Sequence, residues 1–279
     1  MKGKWLAALI LLPFALFYCA FQIAPLIWMA FNSFNSQTEG WGLANYKEIL
    51  TSSFYLQALV FSLQITFWSS LLGLLIAFIG SYSLHQLGPT RLRTAVMSFT
   101  NMTSNFTGVP LAFAFIILLG TNGCVTLILR RYGMLGSFNL YSKTGLMVLY
   151  TYFQIPLGVL LIYPAFDALR EDWRESAALL GAGRLRYWRF IGLPVLAPAL
   201  LGTFVILLAN ALGAYATIFA LTSGNFNIIP IRIAALVAGD LDLDPNMASA
   251  LGVFLVLLMV FITLINQWVM RRSYLHVRS

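Results

Sequence analysis

The chain has 279 residues, of which 60% are hydrophobic and 9% charged, with 17 Lys and Arg against 9 Asp and Glu. Soluble domains average roughly 45–50% apolar and about 25% charged residues, so charged side chains this few cannot cover a water-soluble globule, and the missing polar surface must face lipid. The formal charge of +8 therefore needs a location before it has a meaning, and Cys19 and Cys124 form no spacing that suggests a metal site or a disulfide framework.

Six runs contain no Asp, Glu, Lys, Arg or His: Trp5 to Phe31, Leu59 to Leu84, Ala95 to Leu119, Gly145 to Phe166, Val195 to Leu221 and Met247 to Val269. Each is long enough to cross a hydrocarbon core as a helix, which satisfies its backbone hydrogen bonds internally. The first follows Lys2 and Lys4 but exceeds the apolar core of a signal peptide and lacks a small-residue cleavage site, so it reads as a permanent helix. The third carries Asn101, Thr103, Ser104 and Asn105 in its first half; a rival span from Phe106 to Leu129 is more apolar, and the earlier start is preferred because it leaves short connectors. Together these runs make an all-α integral membrane protein of one domain, residues 1–279.

Basic residues in connectors mark the cytoplasmic side. With both termini inside, Lys2, Lys4, Arg91, Arg93, Arg170, Arg174, Arg184, Arg186, Arg189, Arg271, Arg272 and Arg278 lie on one side, and Lys47, Arg130, Arg131, Lys143 and Arg232 on the other. The net positive charge is thus a topology signal, and arginines scattered over four segments do not make a nucleic-acid surface. No span holds an ionisable group of the kind ion-driven carriers use. His85 and His276 sit in connectors, without an enzyme signature, and no G-x-x-x-x-G-K-[ST] loop is present. If ATP drives this protein, another chain must bind it.

The connector from Asp167 to Leu193 carries the most information. Asp167, Glu171 and Asp172 suit a helix N-terminus, and Leu169, Trp173, Ala177 and Leu180 share one face at helical spacing. Gly181 and Gly183 then end that helix by accepting a left-handed backbone. A short basic piece, Arg184 to Ile191, leads to Pro194, which suits the first turn of the next span. Composition alone leaves two readings open: a helix that docks on a partner, or one that rests in the headgroups on Trp173, Trp188 and the arginines.

Glu175, Ser176, Ala177, Gly181, Ile191, Leu193 and Pro194 stand at the spacing E-A-A-x-x-x-G-x9-I-x-L-P, with Ser176 in place of one alanine. In this, and in six spans with both termini inside, the chain resembles the permease subunits of bacterial binding-protein-dependent ABC importers of type I. The resemblance implies a bacterial inner-membrane location and a coupling helix that seats in a groove of an ATPase subunit. It implies as partners a second permease, identical or homologous, two ATPase subunits that hold ATP and Mg, a periplasmic solute-binding protein and membrane lipid. No cofactor and no covalent chemistry are expected in this chain. Ala177, Ala178, Gly181 and Ala182 could supply a small-residue face for such a groove, with Arg174 and Glu175 at its rim.

Within the membrane, Asn101, Asn105 and Gly108 recur at i, i+4 and i+7, as do Asn210, Ala214 and Thr217. Such stripes line a translocation pathway or pack between helices. Gly73 with Ala77, and Ala248 with Gly252, read as packing pairs. The segments from Asn105 to Phe115 and Asn210 to Thr222 resemble permeases of polyamine, aminophosphonate and ferric-ion importers, which implies a small polar or charged solute. Asp240, Asp242 and Asp244 either attract a cationic ligand or form a solvated loop. A scaffold or receptor with six spans and no transport is the competing class.

Overall fold

The computed structural model describes residues 11–37, 39–133, 138–239 and 243–277, with side chains as far as Trp268. Lys2, Lys4, the start of the first expected span, Asp240, Asp242 and Arg278 lie outside the described residues, as do the side chains of Arg271, Arg272 and His276. The helices in chain order are α1 (Leu11–Asn32), α2 (Ala44–Thr51), α3 (Ser53–Gln86), α4 (Arg91–Ser104), α5 (Val109–Leu119), α6 (Cys124–Arg131), α7 (Lys143–Ile162), α8 (Glu171–Leu179), α9 (Arg184–Leu212), α10 (Tyr215–Thr222), α11 (Ile229–Ala238) and α12 (Pro245–Val277). Strands β1 (Asn35–Ser36) and β2 (Gly40–Trp41) form a small antiparallel hairpin. Six helical segments are long and apolar enough to span a membrane. Side chains such as Ile79, Ile117 and Leu257 stay exposed on their outer faces, as lipid-facing positions should.

Contacts divide the chain into two compact units. The first comprises residues 1–59 and 227–260. Here Asn45 Nδ2 donates to the carbonyls of Ser33 and Asn35 at 3.1 and 3.0 Å, tying α2 to the end of α1. Asn227 Nδ2 donates to the Phe54 carbonyl at 3.1 Å, and Arg232 stacks over the Phe54 ring. Gly252 of α12 lies against Met29 of α1, where a Cβ would come within 2.9 Å of the Met29 sulfur, so the expected pairing of small residues makes room for a neighbour. Asp244 is a helix cap: its Oδ1 accepts from the N–H groups of Asn246 and Met247 at 3.0 and 2.9 Å, which favours the start of α12.

The second unit comprises residues 60–226 and 261–279. Its centre is the contact of α3 with α7. A Cβ on Gly73 would lie 2.7 Å from Gln154 Cβ, and one on Gly158 would lie 2.8 Å from Ala77 Cβ. Gly73 and Ala77 thus face Gln154 and Gly158, two i, i+4 pairs that let the backbones approach closely. α7 also packs on α4 and α9, and α5 packs on α10. Below this contact Phe78, Tyr82, Phe166 and Trp188 cluster, with Tyr82 and Trp188 edge to face at 5.2 Å between ring centroids.

Two expected spans are corrected. The run from Ala95 to Leu119 is two helices, α4 and α5, interrupted at Asn105 to Gly108, and the apolar stretch counted as span-length begins at Val109 and reaches Arg131. Gly108 causes the break: its φ of 74° and ψ of −145° cannot continue a helix, and its N–H leaves the helical ladder to donate to Thr217 Oγ1 at 3.0 Å. The fifth span begins at Arg184 instead of Val195 and ends at Leu212. The basic piece joins it through a π-turn, Trp188–Gly192, in which the Leu193 N–H reaches back to the Trp188 carbonyl. Pro194 lacks an N–H, and the wider turn leads the helix through it, so the proline lies inside α9.

Gly158→Ala is expected to strain the α3–α7 contact by about 1–3 kcal/mol, read as a lowered melting midpoint in detergent. Adding Ala77→Gly should restore most of the loss, and an unchanged midpoint for the single variant would show that the two helices part freely there.

Candidate functional site

The connector between α7 and α9 is organised around one helix end. α8 begins with Glu171 and Asp172 in its first turn, as the charge pattern requires, and closes at Gly181. Ala182 N–H donates to the Ala177 carbonyl at 2.9 Å, Gly181 N–H donates to the Ala178 carbonyl at 3.0 Å, and Gly181 has a φ of 76°. These two bonds and a left-handed residue are the Schellman arrangement that satisfies the last carbonyls of a helix. Gly183 differs from expectation: it is extended, with φ −69° and ψ 165°, and caps the start of α9. Only one left-handed residue is needed to reverse the chain.

Of the face that shares helical spacing, Trp173, Ala177 and Leu180 line one apolar groove, and Leu169 lies on the other side of the connector. Ala177 is turned into the chain and only 7% exposed, whereas Leu180 is 87% exposed and Trp173 is exposed. Of the small-residue face, Ala178 and Gly181 are exposed, Ala182 is half-buried and Ala177 is buried. What the connector presents instead is a leucine tip: Leu179 at 90%, Leu180 at 87% and Leu185 at 85% exposure. Leu179 and Leu185 carry no motif or charge signal in the sequence that would single them out. Glu175 and Ser176 are exposed beside this tip, and Arg174 pairs with Glu171 at 3.0 Å. Ile191 is half-buried in the π-turn, and Leu193 and Pro194 are exposed on the following turn. An apolar groove of about 780 Å³ lies on one side of α8, lined by Trp173, Ala177, Leu180, Tyr187, Phe190 and Pro194.

The connector is fixed to the bundle at its second half. Arg184 Nη2 donates to the Tyr82 hydroxyl at 2.6 Å, with the guanidinium over the same ring, and Trp188 packs against Phe78 and Tyr82. A displacement of α9's first turn is thus felt at the end of α3 through aromatic contacts and one charge-assisted bond.

The five polar membrane residues fall into three places. Asn105 Nδ2 donates to the Asn101 carbonyl at 3.0 Å, closing α4, and both asparagines are exposed. Gly108 meets Thr217, which is buried on α10. The expected helical stripes are therefore broken, since Asn105 and Gly108 lie past the end of α4, and Ala214 separates α9 from α10. Asn210 belongs to a network the sequence reading missed. Gln154, with 0% exposure, donates from Nε2 to Ser70 Oγ at 2.9 Å and to the Leu207 carbonyl at 2.6 Å, and its Oε1 accepts from Asn210 Nδ2 at 3.1 Å. Tyr150, one turn away, donates to the Ala214 carbonyl at 2.9 Å. Residues His, Cys, Asp and Glu form no group of three that could hold a metal among the described residues.

The sequence profile of the family described as binding-protein-dependent transport system inner membrane component matches residues 69–273, which include both the connector and the Gln154 network. The chain belongs to this family. As an inner membrane component it is a multi-pass protein of the bacterial inner membrane. It is 28% identical over 163 residues to the ferric transport system permease protein FbpB of Actinobacillus pleuropneumoniae, covering 58% of this chain and 23% of that protein. It is 22% identical over 207 residues to the thiamine transport system permease protein ThiP of Escherichia coli K12, covering 73% of this chain and 38% of that protein. The chain thus spans 23% and 38% of the length of these relatives. Its fold matches a bacterial ABC transporter involved in the import of the acidic polysaccharide alginate, with a TM-score of 0.77, 21% identity and 97% and 96% of the two chains covered. A second match is the MetNI methionine ABC transporter in an inward-facing conformation, with a TM-score of 0.60, 17% identity and 78% and 95% covered. At these identities the likeness is one of fold.

Replacing Gln154 with Leu keeps the volume and removes three hydrogen bonds, so stability in detergent should fall by about 0.5–2 kcal/mol. Asn210→Ala should cost little further in that background, because the two residues share one bond. Full additivity of the two losses would show that Asn210 and Gln154 do not interact.

Proposed function

We propose that the chain is a permease subunit of an ATP-driven importer, contributing half of a translocation pathway and converting motion of a partner ATPase into alternating access. The observation that carries this reading is the connector: a short helix closed at Gly181, tipped with exposed leucines, flanked by Glu175 and Arg174, and fixed to α3 through Arg184 and Trp188. An apolar tip in a charged rim fits a groove on another protein. Leu180 shares the groove beside α8 with Trp173, while Leu179 and Leu185 stand outside it at 90% and 85% exposure, so the apolar surface of the connector extends beyond the one face that a helix resting in headgroups would bury.

The partners in this reading are a second permease, two ATPase subunits that hold ATP and Mg, and a periplasmic binding protein that delivers the solute. Ferric ion and thiamine, named for the relatives, and polyamines or aminophosphonates are the solutes to test first, all small and polar or charged. Asn101, Asn105 and Asn210 are the side chains we assign to the pathway, since each is exposed, Asn101 and Asn210 on their helices and Asn105 just past the end of α4; Gly108 and Thr217 hold the backbone break beside it. A scaffold without transport is not favoured, because it gives no reason for the rigid link from connector to bundle.

The deciding experiment is reconstitution with candidate ATPase and binding proteins and a panel of these solutes. A Cβ at Gly181 would meet no atom of this chain within 4 Å, so the positive φ is the main strain that Gly181→Val brings inside the chain, and Glu175→Lys reverses an exposed charge. Each is expected to cost about 1–3 kcal/mol of docking, roughly five- to a hundredfold in affinity. Both variants should reach the membrane normally, yet lose uptake and the stimulation of ATP hydrolysis by loaded binding protein. Normal uptake by both would remove the coupling assignment.

Orientation is tested separately. Cysteines at Ser36 and Asn225 should react with an impermeant thiol reagent in cells whose outer membrane is permeabilised, and one at Gly88 should react only after the inner membrane is opened. Labelling of Gly88 before that step reverses the proposed topology.

A further inference from the structure

On the side of α8 away from the apolar groove, a cavity of about 690 Å³ separates this helix from the end of α3. Its walls combine two chemistries. Arg170, Arg174 and Arg184 stand against a single acid in the lining, Glu171, and Phe166, Leu169 and Trp188 supply apolar surface. Arg174 is bound to Glu171, and Arg170 to Asp172 at 2.7 Å, but these pairs are more than half exposed, so an anion can exchange with them at little cost. Arg184 bonds only the neutral Tyr82 hydroxyl, and among the described residues no carboxylate lies within ion-pair distance of it. The cavity thus holds a guanidinium with no carboxylate partner among the described residues, beside two that are weakly held.

Its position restricts the ligand. The lining takes His85 and Gln86 from the end of the segment Ser53–Gln86, Phe166 from the end of Lys143–Ala168, and Arg184 from the start of Arg184–Leu212. Three helical segments apolar enough to span a membrane therefore end at this cavity, which fits the level where hydrocarbon gives way to headgroups. Tyr82, Tyr187 and Trp188 in the lining are the residue types that favour that level.

We infer that this cavity binds the phosphodiester headgroup of an anionic phospholipid, wedged between the connector helix and the bundle. Arg184 and Arg174 take the phosphate oxygens, for which the planar guanidinium is suited, and the apolar wall of Phe166, Leu169 and Trp188 takes the glycerol and first methylenes. A free phosphate would leave that wall bare. Lipid binding here goes beyond the importer reading, and lipid retention is measured without ATP or transport, so the two fail separately.

The test uses the full chain with any co-purifying subunits, reconstituted in nanodiscs of mixed phosphatidylglycerol and phosphatidylcholine, extracted in mild detergent and examined by native mass spectrometry. Phosphatidylglycerol should be retained in excess over its share of the bilayer. Arg174→Gln and Arg184→Gln should each weaken its retention about fivefold, leaving phosphatidylcholine unchanged, and millimolar inorganic phosphate should not displace it. If Arg184→Gln disturbs folding through the lost Tyr82 bond, Arg174→Gln decides. Equal retention of the two lipids, undiminished retention by Arg174→Gln, or displacement by inorganic phosphate would each overturn the proposal, the last by identifying a soluble-anion pocket.

Discussion

An amide placed where water cannot reach must find its partners inside the protein, and Gln154 governs the second unit for that reason. Buried without partners, its side chain would cost several kcal/mol of lost hydration, on the order of 2–7 by transfer measurements. The requirement is met only if α3 supplies Ser70 and α9 supplies the Leu207 carbonyl and Asn210 at the same height as α7. Hydrophobic packing in lipid gives little preference for one register over another, since the tails are as apolar as the side chains. A polar bond with fixed geometry does give one. Gly73 and Gly158 then become necessary, because the amide reaches its partners only if the backbones of α3 and α7 come close.

From that fixed register the rest of the unit follows downward. Ala77 and Gly158 continue the close contact, and below them the helices part enough to admit Phe78, Tyr82, Phe166 and Trp188. This aromatic layer carries the connector. Arg184 and Trp188 belong to the first turns of α9, whereas Leu207 and Asn210 belong to its last. A single helix therefore joins the leucine-tipped connector at one end to the polar network at the other.

Much of this was legible in the sequence, and the exceptions share a cause. Runs without charge located the spans because removing an ion from water is costly whatever the tertiary context. Gly181 was legible because a helix end is a local event and its left-handed residue has few alternatives. Gln154 was not, because one glutamine in an apolar run looks ordinary until Ser70, Leu207 and Asn210, 84, 53 and 56 residues away, are seen around it. The break at Gly108 was hidden likewise, depending on a hydroxyl 109 residues distant. The exposure of Leu179, Leu180 and Leu185 contradicts the ordinary rule that apolar side chains are covered, and a rule is a poor guide to its own exceptions.

The π-turn at Trp188–Gly192 bears on how such a chain can change over evolutionary time. A wide turn holds one residue more than the α-helix around it, and each residue of an α-helix advances the side chains by about 100°. The extra residue therefore sets the phase between the basic first turn of α9 and its polar far end. Loss of that residue would straighten the helix and swing Arg184 and Trp188 to another side while Leu207 and Asn210 kept their places. Substitutions can accumulate along this helix with little consequence, but a one-residue deletion within it would disengage the two ends from each other, so length here is constrained more tightly than composition.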